Sequence, residues 1–219
     1  MTPLRLQHLL VLAGYPIATD GTPGPETTAA VVAFQGAHGL DPDGEVGPKT
    51  IAALEAPLSR ASAIPTGPCP PTLRAAILAL VPQHIREQPR EVGSNAGPWC
   101  ELYGVRAAWC GAWVQYVAEQ AATWSGGALV LPNVFSASCD VIGANAARER
   151  RLVHGSELAP GDVFLVGDRA DFRHTGYVIG RAGAKWVTAE GNTNLDGSRE
   201  GWGLLVRHRS PTAYGVSLG

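Results

Sequence analysis

Cys110 stands in AAWCGAWVQYV, between two tryptophans, and its surroundings decide whether it is a nucleophile, half of a disulfide or a small core residue. A cysteine hydrolase needs four things: a thiolate, an imidazole to take up and return a proton, a polar group to orient that imidazole, and amides facing the developing oxyanion. The apolar run after Cys110 predicts a helix from Cys110 to about Thr123. Amide dipoles at a helix start favour an anion and lower a thiol pKa. Gly111 is expected to leave room for substrate and a free amide, and Trp109 to contribute a wall of the cleft.

The imidazole follows from hairpin geometry. Two β-like runs, Gly176–Ile179 and Trp186–Ala189, are expected to pair antiparallel through a turn at Gly180–Lys185. That register sets His174 across from Glu190 or Gly191, and the two-residue strand period puts Asn192 on the face of Glu190. Each residue also has a plain structural use: a histidine at a strand end is often a surface group, and EGNTN at Glu190–Asn194 reads equally as a turn. Glu91 and Asn95 open this half and are read as facing the cleft or as helix-end caps. Among the other thiols, Cys100 and Cys139 are read as core residues, Cys139 on the far side of a long loop, and Cys69 as part of a linker. A zinc site from His154, His174 and Asp162 is the rival chemistry, but no H-x-x-x-H or H-E-x-x-H spacing supports it, so no metal or cofactor is expected.

The elements that must carry these residues change character along the chain. DGTPGPET at Asp20–Thr27 recurs as DGEVGPKT at Asp43–Thr50. In each copy Asp-Gly makes a turn and Pro suits the first turn of a helix, where no amide hydrogen is needed. Three short helices follow, Pro3–Ala13, about Pro25–His38 and about Pro48–Leu54, sharing one small core. The stretch APLSRASAIPTGPCPP at Ala56–Pro71 reads as a semi-stiff linker. Thr72 then caps a helix with Leu73, Ile77, Leu80 and Val81 on one stripe, and another helix is expected near Cys139–Arg150. Short β runs close the chain: Val163–Val166, the hairpin and Leu204–Arg207. Helices before a strand meander make an α+β protein, divided as residues 1–56, a linker at 57–71, and residues 72–219.

Composition narrows the partners. The 219 residues are 45% hydrophobic and 16% charged, ordinary for a folded protein, and the formal charge of −2 offers no electrostatic footprint for nucleic acid. No apolar run is long enough for membrane insertion, and Leu9–Ala13 is too short for the apolar core of a leader. A monomer made in the cytoplasm and reaching its target by a holin-type or other non-Sec route, or else extracellular, is expected.

Two resemblances sharpen this reading. The words LQHLLVLAGY, AVVAFQGAHGL and DGEVGPKTIAAL, from Leu4 to about Leu54, resemble the three-helix peptidoglycan-binding domain attached to many cell-wall enzymes, with Pro23 standing where that family usually has an apolar residue. From about Thr72 to Ser210 the words EVGSNAGPWCELYG, AAWCGAWVQYV, PGDVFLV, HTGYVIG and AEGNTN resemble the CHAP cysteine amidases and peptidases, relatives of the papain-like and NlpC/P60 folds. By that resemblance Cys110 is the nucleophile, His174 the base and later acid, Glu190 the orienting carboxylate and Asn192 a supporting group, with Thr175 replacing the usual apolar residue. The resemblances imply a modular peptidoglycan hydrolase, an endolysin-like amidase or endopeptidase with the bacterial wall as partner. A wall-binding protein without activity is the alternative.

Overall fold

A computed structural model describes residues 1–194 and 201–219. The N-terminal helices are α1 (Pro3–Leu12), α2 (Pro25–Ala37) and α3 (Pro48–Ser62), each with Pro in its first turn. Leu9, Leu10, Val31, Phe34 and Leu54 meet in their core.

The repeat seen in sequence is a repeated hydrogen-bond network. Gln7 Nε2 donates to Asp20 Oδ1 (2.9 Å), the Thr22 carbonyl (3.1 Å) and Thr27 Oγ1 (3.5 Å), while its Oε1 accepts from the Gly21 amide (2.7 Å). Gln35 does the same with Asp43 (2.9 Å), the Glu45 carbonyl (2.9 Å), Thr50 (3.2 Å) and the Gly44 amide (2.9 Å). Each buried glutamine thus satisfies a loop whose backbone would otherwise lack partners. Pro23 leaves the first network intact, because the backbone groups that Gln7 uses, the Gly21 amide and the Thr22 carbonyl, both lie ahead of it.

The expected boundary near residue 56 falls inside a helix. α3 runs on to Ser62 and buries Leu58 and Ala61, and Pro57 forgoes only one helical amide bond. The stretch beyond it lies against the rest of the protein, with Trp124 Nε1 donating to the Gly67 carbonyl at 2.7 Å. Composition identified a helix-poor segment, but tertiary burial extended the helix into it.

The following helices are α4 (Leu73–Glu87), α5 (Pro98–Leu102), α6 (Cys110–Trp124) and α7 (Cys139–Arg148). Thr72 caps α4 as its sequence suggests, accepting from the Ala75 amide. The strands are β1 (Leu152–His154), β2 (Val163–Asp168), β3 (Asp171–Ala182), β4 (Lys185–Thr193), β5 (Gly203–Arg209) and β6 (Tyr214–Val216). They form one antiparallel sheet in the order β1-β6-β2-β3-β4-β5. β2 to β5 are the expected meander, and β6 returns to fill the space beside β2. The protein is therefore mixed helix and antiparallel sheet. α6 packs across β3 and β4, and α7 against β3, so both helix starts reach the same end of the sheet. Among the described residues no helix is long and apolar enough to cross a membrane.

Candidate active site

Cys110 is the first residue of α6 and is buried. Its sulfur meets a second sulfur, Cys139 Sγ, at 3.6 Å. Cys139 is itself the first residue of α7, behind a Ser138 cap that accepts from the Val141 amide. Cys139 thus begins a helix beyond a long loop and is buried, as expected, but that loop folds back over the start of α6 and brings the two sulfurs together. Gly111 makes this possible, since a Cβ there would lie 2.5 Å from the Ala137 carbonyl oxygen. The space expected above Gly111 for substrate is filled by that loop. The Gly111 amide instead helps to favour the anionic form of the Cys110 sulfur.

His174 sits on β3 with its Nε2 3.0 Å from Glu190 Oε2 on β4. The hairpin is tighter than expected, turning between Ala182 and Lys185 and pairing Tyr177 with Ala189. Carried along, that register sets Gly176 beside Glu190 and reaches from His174 towards Asn192, so imidazole and carboxylate meet diagonally. The close approach needs Gly176, whose Cβ would lie 2.3 Å from the Ala189 carbonyl and 3.2 Å from Glu190 Cα. Asn192 is buried where the β4–β5 pairing shifts, and its φ of 52° interrupts the two-residue alternation that was to put it on the face of Glu190. Thr175 is fully buried and satisfied, its hydroxyl donating to the Phe164 carbonyl at 2.8 Å.

Glu190 is held by more than the histidine. Arg209 on β5 donates through Nε to Oε1 (3.0 Å) and Nη2 to Oε2 (2.6 Å), and Thr188 Oγ1 donates to Oε1 (2.6 Å). Burial alone would push this carboxyl up, yet the bonds from His174, Arg209 and Thr188 outweigh it and hold it at about 2. Sequence reasoning missed both partners. Arg209 is one of two arginines in the basic word RHR, and no local pattern links it to Glu190: the β4–β5 register sets it opposite Trp186, and its long side chain reaches along the sheet to the carboxylate.

The electrostatics then fall into place. The Cys139 thiol, above all, stabilises the Cys110 thiolate as a hydrogen-bond donor; His174 and the Gly111 amide add to this, and Cys110 titrates well below the ordinary thiol range. Cys139 is driven strongly upward by the same bond and keeps its proton. Burial disfavours a charged His174, but Cys110 and Glu190 overcome it and raise the imidazole to about 9. The Nδ1 nitrogen has no regular hydrogen bond, while the ring interacts directly with Cys110. The two shifts, thiol down and imidazole up, both favour a thiolate–imidazolium pair, a state shared by two coupled groups.

Other expected contributors lie elsewhere. Trp109 is fully buried and stacks on Tyr103, with centroids 5.6 Å apart, so it cannot wall a cleft. It acts as a spacer: a Cβ on Gly191 would lie 2.8 Å from its ring. Glu91 and Asn95 close a turn, the carboxylate accepting from the Asn95 amide, and do not line the cleft beside Cys110. That cleft, of about 270 Å³, is bounded by Cys110, Cys139, Ala137, Asp140, Phe172 and Arg173, among others. The rival zinc set does not assemble. Asp162 is bound by Arg74 through two bonds of 2.7 Å, His154 contacts Ser156, and no metal-binding group of three side chains occurs among the described residues.

With this geometry in place, the comparison with known families concerns the other end of the molecule. The family model of the peptidoglycan binding domain matches residues 4–54. The N-terminal helices are a peptidoglycan-binding domain. Its three helices and paired Gln–Asp–Thr networks are the structure behind that match, and it associates the chain with the bacterial cell wall. No curated protein and no solved structure matches the chain.

Proposed function

We propose that the protein is a cysteine-dependent peptidoglycan hydrolase, cleaving an amide bond of the cell wall as an N-acetylmuramoyl-L-alanine amidase or a peptidoglycan endopeptidase of the CHAP type, in the manner of an endolysin. The observation that carries this reading is the line Cys110, His174, Glu190, Arg209, its first three members buried, beside an open cleft. The ordered words resembling CHAP domains support it, and a wall-binding domain in the same chain gives such a site its substrate.

In the mechanism the Cys110 thiolate attacks the carbonyl carbon of the scissile amide. His174 gives its proton to the departing nitrogen as the C–N bond breaks, leaving an acyl-enzyme. The now neutral imidazole takes a proton from water, the resulting hydroxide releases the acid, and the thiolate–imidazolium pair is restored. Glu190, clamped by Arg209 and Thr188, stabilises the positive ring and fixes its orientation. Because the thiol is already ionised, the first step needs no separate deprotonation. Binding through the N-terminal domain raises the local concentration of wall substrate.

The test is mass spectrometry of purified peptidoglycan digested with the native protein and with Cys110→Ala. The native protein is expected to release one new amine terminus per cut, which names the bond, and the variant to bind wall and release nothing. Equal digestion by both rules out the cysteine mechanism. Adsorption without product from the native protein leaves a wall-binding protein.

A further inference from the structure

Cys139 has no step in the hydrolysis described above, yet its sulfur is in hydrogen-bond contact with that of the nucleophile. Two helix starts converge to put the sulfurs of Cys110 and Cys139 3.6 Å apart, both reduced and both on the wall of the same cleft. A disulfide requires roughly 2.0 Å between sulfurs, an approach that rotation of these two side chains about their Cα–Cβ bonds has to supply. The other two thiols are held elsewhere: Cys69 lies against the Ala121 carbonyl, and Cys100 is buried on α5.

We propose that Cys110 and Cys139 are an oxidisable dithiol, which a small oxidant of the peroxide class converts into a disulfide tying the start of α6 to the start of α7, and which thiols reopen. The Cys110 thiolate attacks one oxygen of hydrogen peroxide. The O–O bond breaks, the second oxygen leaves as hydroxide and takes the His174 proton to become water, and Cys110 is left as a sulfenic acid. The Cys139 sulfur then attacks the Cys110 sulfur, the S–O bond breaks, and the oxygen departs as water with the Cys139 proton. Two sulfurs have together lost two electrons, and one peroxide has become two waters. Once Cys110 is a neutral sulfenic acid, the anion that kept Cys139 protonated is gone, which frees Cys139 to attack. Cys139 thereby shields the nucleophile from further, irreversible oxidation. The accompanying loss of wall hydrolysis rests on the function proposed above, whereas the sulfur chemistry does not.

The experiment treats the full chain with a small excess of hydrogen peroxide, blocks remaining thiols with iodoacetamide in denaturant, and maps peptides without reduction. The expected product is a peptide pair joining Cys110 to Cys139, lighter by two hydrogens, with Cys69 and Cys100 alkylated. Dithiothreitol restores both free thiols and wall digestion. In Cys139→Ser the cross-link is absent, Cys110 gains two or three oxygens as sulfinic or sulfonic acid, and dithiothreitol does not restore activity. Absence of the Cys110–Cys139 pair in the native map, or cross-linking through Cys69 or Cys100 instead, overturns the proposal. The native map decides the matter even if Cys139→Ser fails to fold. A cross-link that forms in a protein inactive in both redox states supports the dithiol and removes the hydrolase reading.

Discussion

Glu190 is the residue on which the site's charge balance turns. It is fully buried, carries its charge at any pH above about 2, and shares it between His174 and Arg209. Its carboxyl is depressed from an ordinary 4.5 in the folded protein, so it contributes stability above that value, and the contribution is lost as pH falls from about 4.5 through about 2. Replacing Arg209 leaves the charge buried with only His174 and Thr188. Arg209→Ala is expected to cost about 3 kcal/mol at neutral pH, the order of magnitude for breaking a buried pair. The deficit should shrink as pH drops through that window, since the protonated carboxyl no longer needs the guanidinium. Urea denaturation of both proteins at pH 7 and near pH 2 measures it, and an equal deficit at both would assign Arg209 a packing role, through its stacking on Phe164.

At the level of elements, the spacing between α6 and the β3–β4 hairpin sets how Cys110 stands to His174 and Glu190. Trp109, just ahead of Cys110, lies on the bare backbone of Gly191, just after Glu190. Gly191→Ala places a methyl 2.8 Å from a rigid, fully buried ring, with Trp113 Cβ at 3.4 Å behind it, so the helix start has to move. The overpacking is expected to cost about 1–3 kcal/mol. On the function proposed above, wall digestion should fall by more than the loss of folded protein explains, because the displaced element carries Cys110. Paired urea melts and digestion rates check this; full activity in the folded fraction would show that the spacing is slack. The E-G-N word was legible as a unit, but the reason for its glycine was not, because the ring that needs it lies some eighty residues upstream in the chain.

For the molecule as a whole, one apolar core runs from Leu9 to Leu218, joining the wall-binding helices to the sheet-bearing part. Polar ties cross the same boundary. Arg60 pairs with Glu87 through bonds of 2.8 and 2.7 Å, Gln83 donates to the Ala61 and Ala63 carbonyls at 2.9 Å each, and Arg90 donates to the Leu12 carbonyl at 2.8 Å. The buried Gln120 also reaches the Ala61 carbonyl at 2.9 Å, which carries the connection into α6. Such continuity predicts a single cooperative thermal transition, with calorimetric and van't Hoff enthalpies in agreement. Two resolved endotherms in differential scanning calorimetry would show that the two parts unfold independently.

Local pattern and word order in the sequence determined the helices of the N-terminal domain, the capped start of α4, the helix that begins at Cys110, the strand meander, and His174 beside Glu190. These rest on periodicity, caps and short-range turns, which act within a few residues. The tertiary structure alone decided that α3 continues into the expected linker as far as Ser62, that Trp109 is a buried spacer, that Arg209 clamps the Glu190 carboxylate, and that Cys139 faces Cys110. Each of these depends on chain segments far apart in sequence being brought together by burial and strand register, and no local pattern encodes which distant segment will arrive.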